Sequence, residues 1–128
     1  MRKRRPEGVP SCTLEEALEI IGGRWTLSIL WWLQRGPTRF SDLKRLIPGV
    51  TQKMLTQQLR QLAADGLVTR TVYATVPPKV EYDLTPLGKD LKPALKLLCA
   101  WSEENLPKIR LARNNREMIA DETLALES

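Results

Sequence analysis

The sequence predicts a mainly α fold with one small β-hairpin. Four segments with apolar residues at helical spacing fill the chain up to Ala64, two segments of alternating period follow Gly66, and another helical stretch comes after them. At 128 residues there is room for one domain with a sizeable core. Apolar residues at 42% and charged residues at 27% are ordinary globular usage.

"TLEEALEIIGG" opens with Thr13 and Glu16 in a capping-box spacing, places Leu14, Ala17, Leu18 and Ile21 on one side, and stops at Gly22-Gly23. "RWTLSILWWLQRGP" is a second helix with Trp25, Ile29, Trp32 and Leu33 inward, Leu30 and Trp31 widening the apolar band, and Gly36-Pro37 as the break. "TRFSDLKRLIPGV" supplies a third, with Ser41 as N-cap and Leu43, Leu46 and Ile47 inward. Pro48-Gly49 turns the chain into a fourth, capped by Thr51, with Leu55, Leu59 and Leu62 inward, Met54 beside them, and Asp65-Gly66 at its end. Two helices joined by a three-residue turn containing glycine form a helix-turn-helix signature.

Val68, Arg70 and Val72 then alternate with Thr69, Thr71 and Tyr73, and Val80, Tyr82 and Leu84 with Glu81 and Asp83, so two strands flank the Pro-rich loop "ATVPPK". That loop is too long for a tight turn, so the hairpin projects as a wing. Thr85-Pro86 caps a long helix with Leu87, Leu91, Leu95, Leu98 and Trp101 along one side, running to about Asn105, with Pro93 bending its interior. A last helical stretch carries Ile109, Ala112, Ile119 and Leu124. The expected organisation is a flexible basic arm over 1–10, a winged-helix domain with its dimerisation helices over 11–105, and a separate C-terminal segment over 106–128.

Charge points to a polyanion. The net charge is +5, and residues 43–80 alone carry six cations (Lys44, Arg45, Lys53, Arg60, Arg70, Lys79) against the single acid Asp65. From Leu43 to Ala64 there is no Asp or Glu at all. With the leucines of the fourth helix buried, Gln52, Lys53, Thr56, Gln57 and Arg60 share its outer side, and every one is a hydrogen-bond donor. Amides and hydroxyls read base edges in a major groove, Arg forks onto guanine, and a carboxylate there would be repelled by phosphate. Helix, turn, helix and hairpin in this order make a winged helix, so Arg70, Thr75 and Lys79 of the wing are expected on the DNA backbone or in the minor groove, and Arg39, Ser41, Lys44 and Thr51 around the site on the backbone. A protein-interaction module meeting an acidic partner through the same surface is the alternative.

Other classes find little support. The chain has no His, two distant cysteines and no glycine-rich phosphate loop, so neither a catalytic group nor a metal site nor a cofactor can be nominated, and no enzyme activity is expected. Glu15, Glu16 and Glu19 read as a solvated face. The longest apolar run, "LSILWWL", is far short of the ~20 residues that span a bilayer, and "MRKRRPEG" lacks an apolar signal core. A soluble cytoplasmic protein with reduced thiols is expected.

The stretches "GGRWTLSIL", "RFSDLKRLIPGVTQKMLTQQLRQLAADGLVTRTVY", "PPKVEYDLTPLG" and "CAW" together resemble the HxlR-type winged helix-turn-helix regulators, relatives of the MarR group, over about residues 12–104. The resemblance implies a bacterial or archaeal homodimer on a short palindromic operator, often near genes answering chemical or redox stress. In that family a cysteine, usually followed by Pro, precedes the first helix, and in some members it senses oxidants or electrophiles. Cys12 matches that position, with Thr13 in place of Pro. A thiolate beside a helix N-terminus and basic residues reacts selectively, whereas an ordinary exposed thiol is passive, and both readings stay open. Cys99 reads as packed on the apolar last helix.

A dimer also has a physical motive. A helix of nearly 30 Å, at about 1.5 Å per residue, outruns a small core. Leu91, Leu95, Leu98 and Trp101, joined by Leu14 and Leu18 of the first helix, then need a symmetry mate, unless residues 108–126 fold back over them. Trp25, Trp31 and Trp32 read as core rather than as a ligand pocket. Any small-molecule or oxidant effector is left open.

Overall fold

The computed structural model describes residues 13–127; the basic arm and Cys12 lie outside the described residues. In chain order it contains α1 (Thr13–Ile21), α2 (Thr26–Leu33), β1 (Thr38–Arg39), α3 (Phe40–Leu46), α4 (Gln52–Ala64), β2 (Val68–Tyr73), β3 (Lys79–Leu84), α5 (Pro86–Lys89) and α6 (Lys92–Glu127). Two compact units divide between Asp90 and Leu91.

In the first unit the core is aliphatic. Ile29, Leu30 and Leu33 of α2, Leu43 of α3, and Leu55, Leu59 and Leu62 of α4 are fully buried. On α2 the expected inward face is rotated: Thr26, Ile29, Leu30 and Leu33 are buried, Trp25 and Trp32 are half-buried, and Trp31 is 40% exposed. A bulky indole fits the edge of a small core better than its centre. Arg24 and Arg35 cover the rings of Trp25 and Trp32 at 4.7 and 5.3 Å, a cation–π arrangement that suits rings left at the rim.

The sheet is antiparallel in the order β1-β3-β2. β2 and β3 pair from Val68 with Leu84 to Tyr73 with Lys79, the expected hairpin. The third strand was not anticipated: Thr38 pairs with Tyr82 and Arg39 with Glu81. It also shifts the start of α3, because Arg39 takes the N-cap position with an extended backbone and no side-chain cap. Ser41 therefore lies inside the helix instead of capping it.

The link from α3 to α4 is longer than a three-residue turn, spanning residues 47–51. Ile47 and Val50 are both drawn into the core, and Gly49 between them has φ +87°, a left-handed conformation natural to glycine. Thr51 then caps α4 as expected, its Oγ1 accepting from the Met54 amide at 3.1 Å. Met54 itself is exposed.

Past β3 the expected single long helix is two. Thr85 caps only α5, accepting from the Gly88 amide at 3.2 Å while donating to the Gly66 carbonyl at 2.6 Å. After Asp90 and Leu91 a new helix starts, so Pro93 stands in the first turn of α6, where its missing N–H has no intrahelical partner to lose. The helix does not stop near Asn105; it continues through Pro107 to Glu127. Leu95 is the one buried residue of α6 among the described side chains, and Cys99, expected to be packed, is exposed. With so little of α6 buried, its apolar composition does not by itself enclose a thiol.

Gly88 marks the tightest approach in the first unit. A Cβ there would lie 2.4 Å from the Leu67 carbonyl oxygen and 3.0 Å from Leu84 Cδ2, and its own carbonyl accepts from Gln34 Nε2 at 3.2 Å. Gly88→Ala is expected to lower unfolding free energy by about 1–3 kcal/mol, because a backbone oxygen cannot swing aside. Urea denaturation checks this; an unchanged midpoint would contradict the packing described.

Candidate nucleic-acid interface

Burial of Leu55, Leu59 and Leu62 turns the opposite side of α4 to solvent. Gln52, Lys53, Gln57 and Arg60 are exposed and Thr56 is half-buried, its hydroxyl donating to the Gln52 carbonyl at 2.8 Å. No carboxylate belongs to this helix. One polar link crosses the core behind it: Thr26, 3% exposed, donates from Oγ1 to Gln58 Oε1 at 2.9 Å, tying α2 to α4. Apolar packing tolerates small rotations of a helix about its axis. A directional hydrogen bond tolerates fewer.

Two open grooves lie near the hairpin, the first of them against α4. One, of about 530 Å³, is lined by Gln52, Thr56 and Arg60 of α4 and by Arg70 of β2, with Phe40 and Tyr82 also on its walls. These two rings lie 6.4 Å apart. The second, of about 490 Å³ at the root of the hairpin tip, gathers Arg39, Ser41, Thr75 and Lys79. Residues far apart in the chain thus fall into two clusters that share Phe40 and Val80.

Lys53, Gln57, Lys44 and Thr51 are exposed but line neither groove. Lys79 is less free than the others, 3.2 Å from Glu81 and 4.9 Å over the Tyr73 ring. At the hairpin tip Val76 is fully exposed, and Thr75 Oγ1 donates to the Pro77 carbonyl at 2.9 Å. Arg35 and Arg45 share a further groove with Arg39 and Lys79; sequence reading gave neither a place at the site and counted Arg45 only among the cations of residues 43–80. Arg45 is ion-paired with Asp42 one helical turn earlier. Only the general excess of cations hinted at these two. Among the apolar residues singled out for association, Leu14, Leu18, Leu98 and Trp101 are exposed, Leu91 is half-buried, and Leu95 is already buried in the single chain.

Chemically α4 offers amide, hydroxyl and guanidinium donors with no acid of its own, beside a hairpin. The fold and the surface define a winged helix-turn-helix of the kind found in transcriptional regulators. The HxlR-like helix-turn-helix family matches residues 20–110, and the chain belongs to that family of transcriptional regulators. The HTH-type transcriptional regulator YtcD of Bacillus subtilis is 52% identical over 76% of this chain and 77% of its own length. Another regulator from that organism, YkvN, is 56% identical over 71% and 77%. Among solved structures, the redox regulator HypR in its reduced form superposes with TM-score 0.74 at 42% identity, covering 77% of this chain and 98% of HypR. The reduced form of the regulator YodB from B. subtilis gives TM-score 0.66 at 33% identity, covering 75% and 94%. Among the described residues no helix is long and apolar enough to cross a membrane.

The bridge between α2 and α4 is testable by itself. Thr26→Val keeps the shape of the side chain but deletes the donor, and is expected to lower stability by about 1 kcal/mol. Denaturant unfolding measures this, and wild-type stability in the variant would show that the bond contributes nothing.

Proposed function

We propose that the protein acts in the cytoplasm as a sequence-specific regulator, binding a short palindromic operator as a homodimer. The observation that carries this reading is the exposed side of α4, rich in donors and free of acids, beside a groove shared with Arg70 of the hairpin. In this reading α4 enters the major groove. Gln52, Lys53, Thr56, Gln57 and Arg60 meet base edges, while Arg39, Ser41, Lys44, Thr51, Arg70, Thr75 and Lys79 meet phosphates. Exposed apolar side chains on α1 (Leu14, Leu18) and on α6 (Leu98, Trp101) each offer a face to a second copy, which a two-fold operator would require.

Arg60 and Lys44 separate the two kinds of contact. Arg60→Ala is expected to lose about 1–3 kcal/mol of operator affinity and to relax preference at one base position. Lys44→Ala is expected to weaken all duplexes alike and to lower the salt slope by about one. Arg60→Glu and Lys53→Glu should abolish operator binding and leave the fold intact, since both side chains face solvent. Gel shifts and anisotropy titrations on inverted repeats upstream of the gene supply the measurement, and unchanged affinity in both charge reversals would rule out the groove assignment.

Regulation through Cys12 belongs to the same proposal and rests on its sequence position ahead of α1 and on likeness to the redox regulators HypR and YodB. Diamide or a quinone is expected to weaken DNA binding by the native chain. An identical response from Cys12→Ser would remove that thiol from the mechanism.

A further inference from the structure

The match to the family ends at residue 110, yet α6 runs on to Glu127. Beyond Pro107, the described side chains of this helix are exposed apart from a half-buried Ile109, and they include Leu111, Met118 and Ile119 at 62–63% exposure. Residues 108, 111, 112, 115, 118, 119 and 122 recur at spacings of three and four, so they share one face of the helix. The spacing of that face is symmetric about its middle, and the mirror positions are complementary. With Asn115 at its centre, Lys108 and Glu122 stand equally far out, as do Leu111 and Ile119, and as do Ala112 and Met118.

We infer that this face of α6, over residues 108–122, pairs antiparallel with the same face of a second copy of the chain, with Asn115 on the two-fold axis. A two-fold contact sets each residue against its mirror position in the partner. Lys108 then meets Glu122 twice, Leu111 meets Ile119, Ala112 meets Met118, and Asn115 meets itself. Ala112 sets a small residue opposite the large Met118, while Leu111 and Ile119 pack side by side. A central Asn pair fixes register at some expense of affinity, as polar core positions do in helical coils. A parallel arrangement would put Lys108 on Lys108 and Glu122 on Glu122, so the charges select the antiparallel one.

The contact is independent of the DNA-binding reading, and uses residues that the α1 and α6 faces of the proposed homodimer do not. It gives an extended helix with little buried surface of its own a reason to present both an apolar stripe and opposite charges at its two ends.

Site-directed cross-linking without DNA tests the pairing in the full chain carrying Cys12→Ser and Cys99→Ser. Asn115→Cys, oxidised with copper phenanthroline, is expected to give a covalent dimer on a non-reducing gel. Leu111→Cys alone should give none, and Leu111→Cys combined with Ile119→Cys should restore it. In sedimentation, Glu122→Lys is expected to weaken self-association about tenfold, and adding Lys108→Glu to recover it, because the swapped charges face each other again. No cross-link at 115 leaves the face to some other partner and overturns the inference, as does equal cross-linking at 111 alone or association indifferent to Glu122→Lys. Loss of operator preference in the native chain would instead strike the DNA-binding proposal and leave these readouts untouched.

Discussion

Burial of Leu55, Leu59 and Leu62 along one side of α4 is the constraint on which the rest of the first unit depends. Three leucines removed from water contribute several kcal/mol, at about 1.5–3 kcal/mol each, and this holds the helix one way round. Once they are inside, Gln52, Lys53, Gln57 and Arg60 have nowhere to point but outward. The functional surface is therefore a consequence of the core, and a sequence cannot change one side of this helix freely without regard to the other.

Directional bonds refine what apolar burial sets. Thr51 fixes where α4 begins, Thr26 holds its middle through Gln58, and Thr85 links the carbonyl of Gly66, just past its end, to the first turn of α5. Each bond is worth only about 0.5–1.5 kcal/mol, less than a buried leucine, but each restricts an angle that hydrophobic packing leaves soft. The proposed readout of base edges through hydrogen bonds would need that restriction, since such geometry fails within a fraction of an ångström. The hairpin is held differently. Only Val68 of β2 is buried, so this strand depends on its ladder with β3, whose Tyr82 and Leu84 reach the core.

The second unit follows other rules. α6 is a long helix that buries a single described leucine, so it is held by backbone hydrogen bonds and by local bonds such as Ser102 Oγ donating to the Leu98 carbonyl at 2.7 Å. Helices of this kind are usually completed by another surface. The half of α6 near Leu98 and Trp101 and the half centred on Asn115 carry different chemistry, the first an unbroken apolar run over 97–101 and the second a stripe bounded by Lys108 and Glu122.

Much of this was legible in the residues. Leucine spacing located α4, Thr51 marked its cap, Asp65-Gly66 its end, and the change of period past Gly66 announced the hairpin, because each signal is local and acts within a few residues. The acid-free stretch from Leu43 to Ala64 likewise points to the exposed side of α4. What tertiary structure decided was non-local. β1 exists only because Thr38 and Arg39 meet Glu81 and Tyr82 of β3, and that pairing moved the start of α3 past the place where Ser41 could cap it. Which side of α2 faces inward depended on the volume its neighbours left, and they left room for Leu30 but not for an indole. The grooves uniting Arg60 with Arg70, and Arg39 with Thr75, join residues ten to thirty-six positions apart, a closeness that chain folding creates and no local pattern encodes.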